Sequence, residues 1–226
     1  MENAVWKDLP YTLPDAEHMA ERLHVFEEDL EEFAALHARC AAIAQPKFAW
    51  RRAPVQLLEN DDVRIGEQLF HSRMLHVNMQ GVKEAYAYVA TCGREIYELA
   101  LSCEDPLARF WVDSISEQLL RSVSLAAHAR LRELSGEQRL FGMNPGSLPD
   151  WPISEQKPLF ALVGDVYGKI GVELTDTFLM LPIKSGSGLY YASEVDFVSC
   201  EYCARGECPS RRAKFVPGKF AERYGG

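Results

Sequence analysis

No apolar run in this chain reaches the roughly 18 residues that a membrane-spanning helix needs. Basic residues are scarce: 24 Lys and Arg stand against 33 Asp and Glu, a net charge of −9. That balance argues against a nucleic-acid binder, which meets phosphates with a basic face. The first residues, Met-Glu-Asn-Ala-Val-Trp-Lys-Asp, lack the charged-then-apolar layout of a secretory signal. Also missing are a G-x-S-x-G elbow, a P-loop and a G-x-G-x-x-G turn with its following acidic residue, so the common hydrolase and nucleotide-enzyme signatures are absent. There is no internal repeat, no low-complexity tract and no clear linker. The expectation is one cytoplasmic domain, residues 1–226, with no membrane and no nucleic-acid partner. At 226 residues, 47% of them hydrophobic, it can bury a sizeable core.

Six cysteines are present, and in a cytoplasmic chain of this size disulfides are not expected. Cys40, Cys92 and Cys103 lie scattered in helical or strand-like surroundings and read as small core residues. His71 and His76 stand five apart and do not share a helical face, and His128 reads as an ordinary, partly buried histidine.

Residues 1–14 hold two prolines and no period, which predicts an arm lying on the domain. Asp15 caps a helix expected to run to about Ile43, with Met19, Leu23, Phe26, Leu30 and Phe33 on its apolar face and Glu27 to Glu32 supplying a solvated acidic one. Pro46 and Pro54 bound a piece read as irregular, containing Trp50, Arg51 and Arg52. Val63–Gly66 is a candidate strand, and Phe70 to Met79 is ambiguous with a preference for helix. Val82–Thr91 alternates as a half-buried strand, followed by Cys92–Gly93 and a helix over 94–101. Asp105–Pro106 opens the longest helix, to about Leu134, with Val112, Ile115, Leu119, Val123 and Leu131 along its buried stripe. Leu140–Met143 reads as a strand. Later come a helix near 154–167, a short strand at 178–181, a turn at Ser185-Gly186-Ser187-Gly188, and a final hairpin from 189–192 and 195–198. The fold class is α+β, helices packed on a twisted, largely antiparallel sheet.

The stretch Asn144-Pro145-Gly146-Ser147-Leu148-Pro149-Asp150-Trp151-Pro152 organises the chain. Prolines fix φ and withhold N–H groups, and glycine opens positive φ, so this is a shaped loop. Ser154 is the expected N-cap of the helix after it, with Pro158 in the first turns and Leu159, Phe160, Leu162 and Val163 as its apolar face.

Three pieces in one order carry a family resemblance: Val89-Ala90-Thr91-Cys92-Gly93; the Asn144–Pro152 loop; and Gly171-Val172-Glu173-Leu174-Thr175-Asp176-Thr177-Phe178 with Met180, Pro182 and Ser185-x-Ser187-Gly188. Over roughly residues 80–192 the chain resembles the activation (reactivation) domain of cobalamin-dependent methionine synthase, in a stand-alone form. On that resemblance, residues 61–198 form an activation-domain-like core, 1–60 a helical N-terminal arm and helix, and 199–226 a Cys-rich basic tail. The resemblance implies an accessory protein for the reductive reactivation of a corrinoid-binding protein or cobalamin-dependent methyltransferase. It would use S-adenosylmethionine and an electron donor, with cobalamin carried by the partner. The implied ligand residues are Asn144, Pro145, Gly146, Ser147, Ser185, Ser187 and Gly188. Two family positions differ: Gly142 stands where the family has an arginine that forks onto a carboxylate, and Ser147 where it has a tyrosine. Arg139 is the nearby arginine left for the first role. These differences leave room for a second reading, a non-catalytic protein that kept the fold and docks on a corrinoid protein or carries a metal.

Outside the resemblance lies Cys200-Glu-Tyr-Cys203-Ala-Arg-Gly-Glu-Cys208-Pro, a C-x2-C-x4-C-P spacing. Thiolates so spaced suit an iron–sulfur cluster with one external ligand, or zinc with a fourth ligand from elsewhere. Free or redox-active thiols, or structural cysteines, are the other readings. Arg205, Arg211, Arg212 and Lys214 make the same stretch the basic patch of an acidic protein and favour thiolates.

Overall fold

The computed structural model describes residues 2–208 and 211–225. Its framework is a seven-stranded sheet in which all neighbours run antiparallel. The strands are β1 (Asn3–Trp6), β2 (Lys47–Leu57), β3 (Asp62–Ile65), β4 (Gln68–His71), β5 (Glu84–Thr91) and β6 (Leu140–Met143), completed, after a separate ribbon of β7 (Glu173–Leu174) and β8 (Met180–Leu181), by β9 (Ser185–Ala192). Spatial order is β4-β3-β2-β5-β9-β6, with β1 beside β2. The helices are α1 (Ala16–Leu23), α2 (Leu30–Ile43), α3 (Arg73–Asn78), α4 (Arg94–Ser102), α5 (Pro106–Ser135), α6 (Gln156–Val163), α7 (Val166–Ile170) and α8 (Lys219–Tyr224). The architecture is α+β, as the composition and periodicity predict.

The sheet buries both faces because its strands alternate two apolar sets. Ala49, Ala53, Ala85, Ala87, Val89, Met143, Leu189 and Tyr191 face α3, α6, α7 and α8. Trp6, Phe48, Trp50, Tyr86, Tyr88 and Tyr190 face the C-terminal half of α5 through Val123, Ala127 and Leu131. Small side chains on the first face let α6 come close, while the second carries a row of rings: Trp6 on Phe48 at 5.6 Å, Phe48 on Tyr88 at 5.2 Å and Tyr88 on Tyr190 at 4.5 Å between centroids. The N-terminal half of α5 leaves the sheet and packs Trp111, Val112, Ile115 and Leu119 against α1, α2 and α4. At 30 residues, α5 is about 45 Å long and ties the two parts together. Asp105 starts it by accepting from the Leu107 and Ala108 N–H groups, both at 3.1 Å, and Gly136 ends it at φ 70°.

Several expectations need correction. Part of the N-terminal arm is strand β1, paired with Phe48–Arg51. The predicted helix from 15 to 43 is two helices. His24 takes a left-handed conformation at φ 53°, the Val25 N–H closes back onto the Ala20 carbonyl at 3.0 Å, and a 3-10 turn over Glu27–Asp29 leads into α2. The piece between Pro46 and Pro54 is the most heavily paired strand of the sheet. Pro54 is tolerated because it sits where β2 stops pairing with β5 and begins pairing with β3, so its missing N–H leaves no gap in a ladder. Phe70 and His71 close strand β4, with α3 starting two residues later at Arg73. Ser154 caps nothing: it lies in a 3-10 turn over Ile153–Glu155 that runs into α6, and Gly164 separates α6 from α7. The Ser185–Gly188 stretch is strand, pairing with Tyr88–Thr91, and residues 195–198 form no strand.

Candidate functional site

The loop after β6 is built by its own backbone. The Gly146 N–H donates to the Trp151 carbonyl at 2.7 Å, the Ser147 N–H to the Asn144 carbonyl at 3.1 Å, and the Trp151 N–H to the Leu148 carbonyl at 3.2 Å. Gly146 holds φ 79°, and a Cβ there would lie 2.7 Å from Ile153 Cδ1, so both conformation and space call for glycine. Leu148 and Trp151 turn inward and are buried, Trp151 edge-on to Phe70 at 6.1 Å. Asp150 accepts from Ser72 Oγ at 2.5 Å and from the Met74 N–H at 2.9 Å, while Ser72 Oγ itself accepts from the Leu75 N–H. The Asp-Trp-Pro segment is therefore an anchor: its acid and indole fix the loop to the start of α3 and to the core.

Gly146 and Ser147 remain exposed, and Asn144 is partly so. Asn144 Nδ2 donates to Tyr88 Oη at 2.8 Å and to the Ser187 carbonyl at 2.7 Å, joining the loop to β5 and β9. Gly188 makes this possible: a Cβ there would collide with Asn144 Nδ2 and lie 2.5 Å from the Met143 carbonyl oxygen. Burial pushes the Tyr88 and Tyr190 phenols above their ordinary range, while the charge of Arg212 pulls the other way. The hydroxyls of Ser185 and Ser187 are buried on β9 without a partner among the described residues, as is Trp151 Nε1. A shallow depression whose enclosed volume is only about 10 Å³ lies here, bounded by Met74, Met143, Asn144, Ser147, Leu148, Trp151, Phe197 and Ser199.

Of the residues singled out in the sequence, the fold brings together Asn144, Pro145, Gly146, Ser147, Ser187 and Gly188, with Ser185 further along the same strand. Arg139 stands apart. It precedes β6 whereas Asn144 follows it, so about 16 Å of extended chain separates them. Its guanidinium pairs with Asp196 and lies 5.4 Å from the centroid of the Phe141 ring. Tyr88, Tyr190 and Ser199 were not picked out in the sequence. Their positions depend on strand pairing and on where the C-terminal segment returns, which no local motif encodes.

Cys200 opens a 3-10 turn closed by the Cys203 N–H on the Cys200 carbonyl at 3.3 Å. Arg211 organises the segment, its guanidinium donating to the carbonyls of Cys200 and Ala213 at 3.3 Å, of Cys203 at 3.5 Å, and of Arg205. Among the described residues no three His, Cys, Asp or Glu side chains come together as a metal-binding set. The donors present do not fit a zinc or an iron–sulfur cluster: a guanidinium holds the loop that a metal was expected to hold. Cys200 Sγ accepts from the Arg212 N–H at 3.4 Å. Partial burial raises that thiol, but the Arg212 and Ala213 N–H groups and the Arg212 charge outweigh it and leave the thiol below its ordinary value.

No helix among the described residues is long and apolar enough to cross a membrane. No family model matches the sequence, and no curated protein does. Among solved structures, the crystal structure of the MetH reactivation domain bound to AdoHcy superposes with a TM-score of 0.64 at 16% identity, over 87% of this chain and 80% of that one. This chain has the fold of the MetH reactivation domain.

Proposed function

We propose that this protein binds an S-adenosyl compound beside the loop after β6 and serves the reductive remethylation of a cobalamin carried by a partner protein. The carrying observation is the fold shared over 87% of the chain with a reactivation domain that binds AdoHcy. The residues at the end of β6 suit such a ligand in kind. Gly146 and Ser147 offer exposed backbone, and Asn144 a partly exposed amide whose oxygen has no protein partner among the described residues. The chemistry supplied by the ligand and partner is reduction of Co(II) by one electron to Co(I), followed by methyl transfer from S-adenosylmethionine, which leaves S-adenosylhomocysteine. The protein's own part is to bind and orient the methyl donor and to keep water from it, and the electron comes from an external donor. A corrinoid protein is the expected partner.

The test uses methyl-labelled S-adenosylmethionine, a chemical reductant and a cobalamin-loaded methionine synthase lacking its own reactivation domain. Label appearing on the corrinoid only when this protein is added is the expected result. Label no higher than in the protein-free control would retire the reading.

A further inference from the structure

The C-x2-C pair at the start of the C-terminal segment has no use left once a metal centre is set aside. Cys200 lies in the 3-10 turn over Ser199–Tyr202, and Cys203 follows that turn directly. The Cys203 N–H donates to the Cys200 carbonyl at 3.3 Å, which closes the turn between the two cysteines. A 3-10 turn repeats every three residues, so side chains at i and i+3 stand on the same side of it. Such a turn holds the two Cα atoms within about 7 Å, and a disulfide spans about 4.4–6.8 Å.

The turn is held at both ends and in the middle. Arg211 donates to the Cys200 carbonyl at 3.3 Å and to the Cys203 carbonyl at 3.5 Å. Between them, the Glu201 carbonyl accepts from the Val216 N–H at 2.9 Å. With the backbone fixed in this way, rotation of the two side chains is what remains to bring the sulfurs together.

The two thiols are not equivalent. Cys200 Sγ accepts from the Arg212 N–H at 3.4 Å, and that contact, the Ala213 N–H and the Arg212 charge favour its thiolate. Cys203 stands on the inner side, packed against the main core cluster. Both are partly exposed, whereas Cys40 and Cys92 are buried among the helices. All six cysteines are free thiols, so the pair is in its reduced form.

We propose that Cys200 and Cys203 form a dithiol–disulfide exchange site that takes a small-molecule disulfide, with Cys200 as the attacking thiol and Cys203 as the resolving one. The Cys200 thiolate attacks one sulfur of the small molecule. Its S–S bond breaks, a mixed disulfide forms on Cys200, and the other half leaves as a thiolate that takes a proton from water. Cys203 then gives its proton to water and attacks Cys200 Sγ. The Cys200–Cys203 bond forms, the mixed disulfide breaks, and the second half leaves as a thiol in the same way. The two cysteines lose two electrons and the small-molecule disulfide gains them. The exchange needs no S-adenosyl ligand.

Glutathione disulfide is the probe. The full chain, reduced and freed of reductant under argon, is incubated with it, quenched with acid, alkylated and mapped by mass spectrometry. In the parent, Cys200 and Cys203 are expected in one disulfide and the other cysteines alkylated. Cys203→Ser should stop after the first step and accumulate glutathione on Cys200. Cys200→Ser should slow the arrival of glutathione at Cys203 by about ten-fold or more relative to its arrival at Cys200 in Cys203→Ser. Cys208→Ser should leave the Cys200–Cys203 bond unchanged. Because Cys203 touches the core, a circular-dichroism melt checks each variant, and Cys203→Ala replaces Cys203→Ser if the serine variant misfolds. Glutathione retained on Cys200 in the parent would overturn the proposal, since Cys203 would then not resolve it. So would a bond from either cysteine to Cys208, a parent whose thiols all remain free, or a Cys203 variant that takes up no glutathione at Cys200.

Discussion

Burial and a neighbouring cation separate thiols that look alike in the sequence. Removal from water pushes Cys40 up to about 11 and Cys92 up to about 12, so both stay protonated at neutral pH. Cys200 goes the other way, because the Arg212 and Ala213 N–H groups and the Arg212 charge stabilise its thiolate more than partial burial disfavours it. Each pKa unit is worth a factor of about ten in thiolate, so at pH 8 Cys200 should alkylate with iodoacetamide at least ~100-fold faster than Cys40 or Cys92. The sign follows: as pH rises, the Cys200 rate should begin to flatten at a lower pH than the Cys40 and Cys92 rates. Arg212→Ala should slow Cys200 alone. Peptide mapping by mass spectrometry reads all of this, and a Cys200 rate no greater than that of Cys40 would show that the Arg212 contact does not hold in solution.

At the scale of elements, what the sequence conceals is as physical as what it shows. Helix α5 was legible because Asp105, Pro106, the apolar stripe and Gly136 all act locally. Strand β2 was not, because Pro54 reads as a break unless one knows that the strand changes partners there. The first half of strand β9, Ser185–Gly188, hid behind its glycines, whose use appears only once Asn144 lies across Gly188, while 189–192 was legible as strand. The loop itself was legible as a shaped turn, but the work of Asp150 was not, since its partners Ser72 and Met74 lie more than 70 residues away. That tie carries a prediction. Asp150→Ala leaves the Met74 N–H without its acceptor and Ser72 Oγ without a charged partner, a loss of about 1.5–3 kcal/mol for hydrogen bonds to a carboxylate. Hydrogen exchange should show it where it acts: the Gly146 and Trp151 amides and the first turn of α3 lose protection, while α5 amides do not. Uniform loss across α5 and the loop would mean that Asp150 supports the whole fold rather than this junction.

Taken as a whole, the molecule uses its last residues as core. Tyr202 and Tyr224 belong to the same buried cluster as Val89, Leu162 and Trp151. Tyr224 Oη donates to Asn78 Oδ1 at 3.0 Å, where Arg223 also donates at 2.8 Å, and Arg73 reaches the Tyr224 carbonyl. Tyr202 stacks on Phe197 at 5.6 Å and meets Tyr224 at 5.5 Å. A basic appendage would need none of this, and the segment that carries Ser199 to the pocket wall needs all of it to arrive in one place. Deleting residues 199–226 therefore removes two buried aromatic side chains and leaves Asn78 facing an open gap. Losing one large buried aromatic costs about 3–5 kcal/mol, against a total stability of about 5–15 kcal/mol. For a chain of this size each kcal/mol moves the thermal midpoint by about 2–4 °C, so the truncated chain should melt at least ~10 °C lower, with a broadened transition. Tyr224→Ala alone should produce a large part of that shift while leaving the Cys200 and Arg212 segment in the chain. A truncated protein whose calorimetric melt coincides with that of the full chain would show the C-terminal segment to be separable from the core.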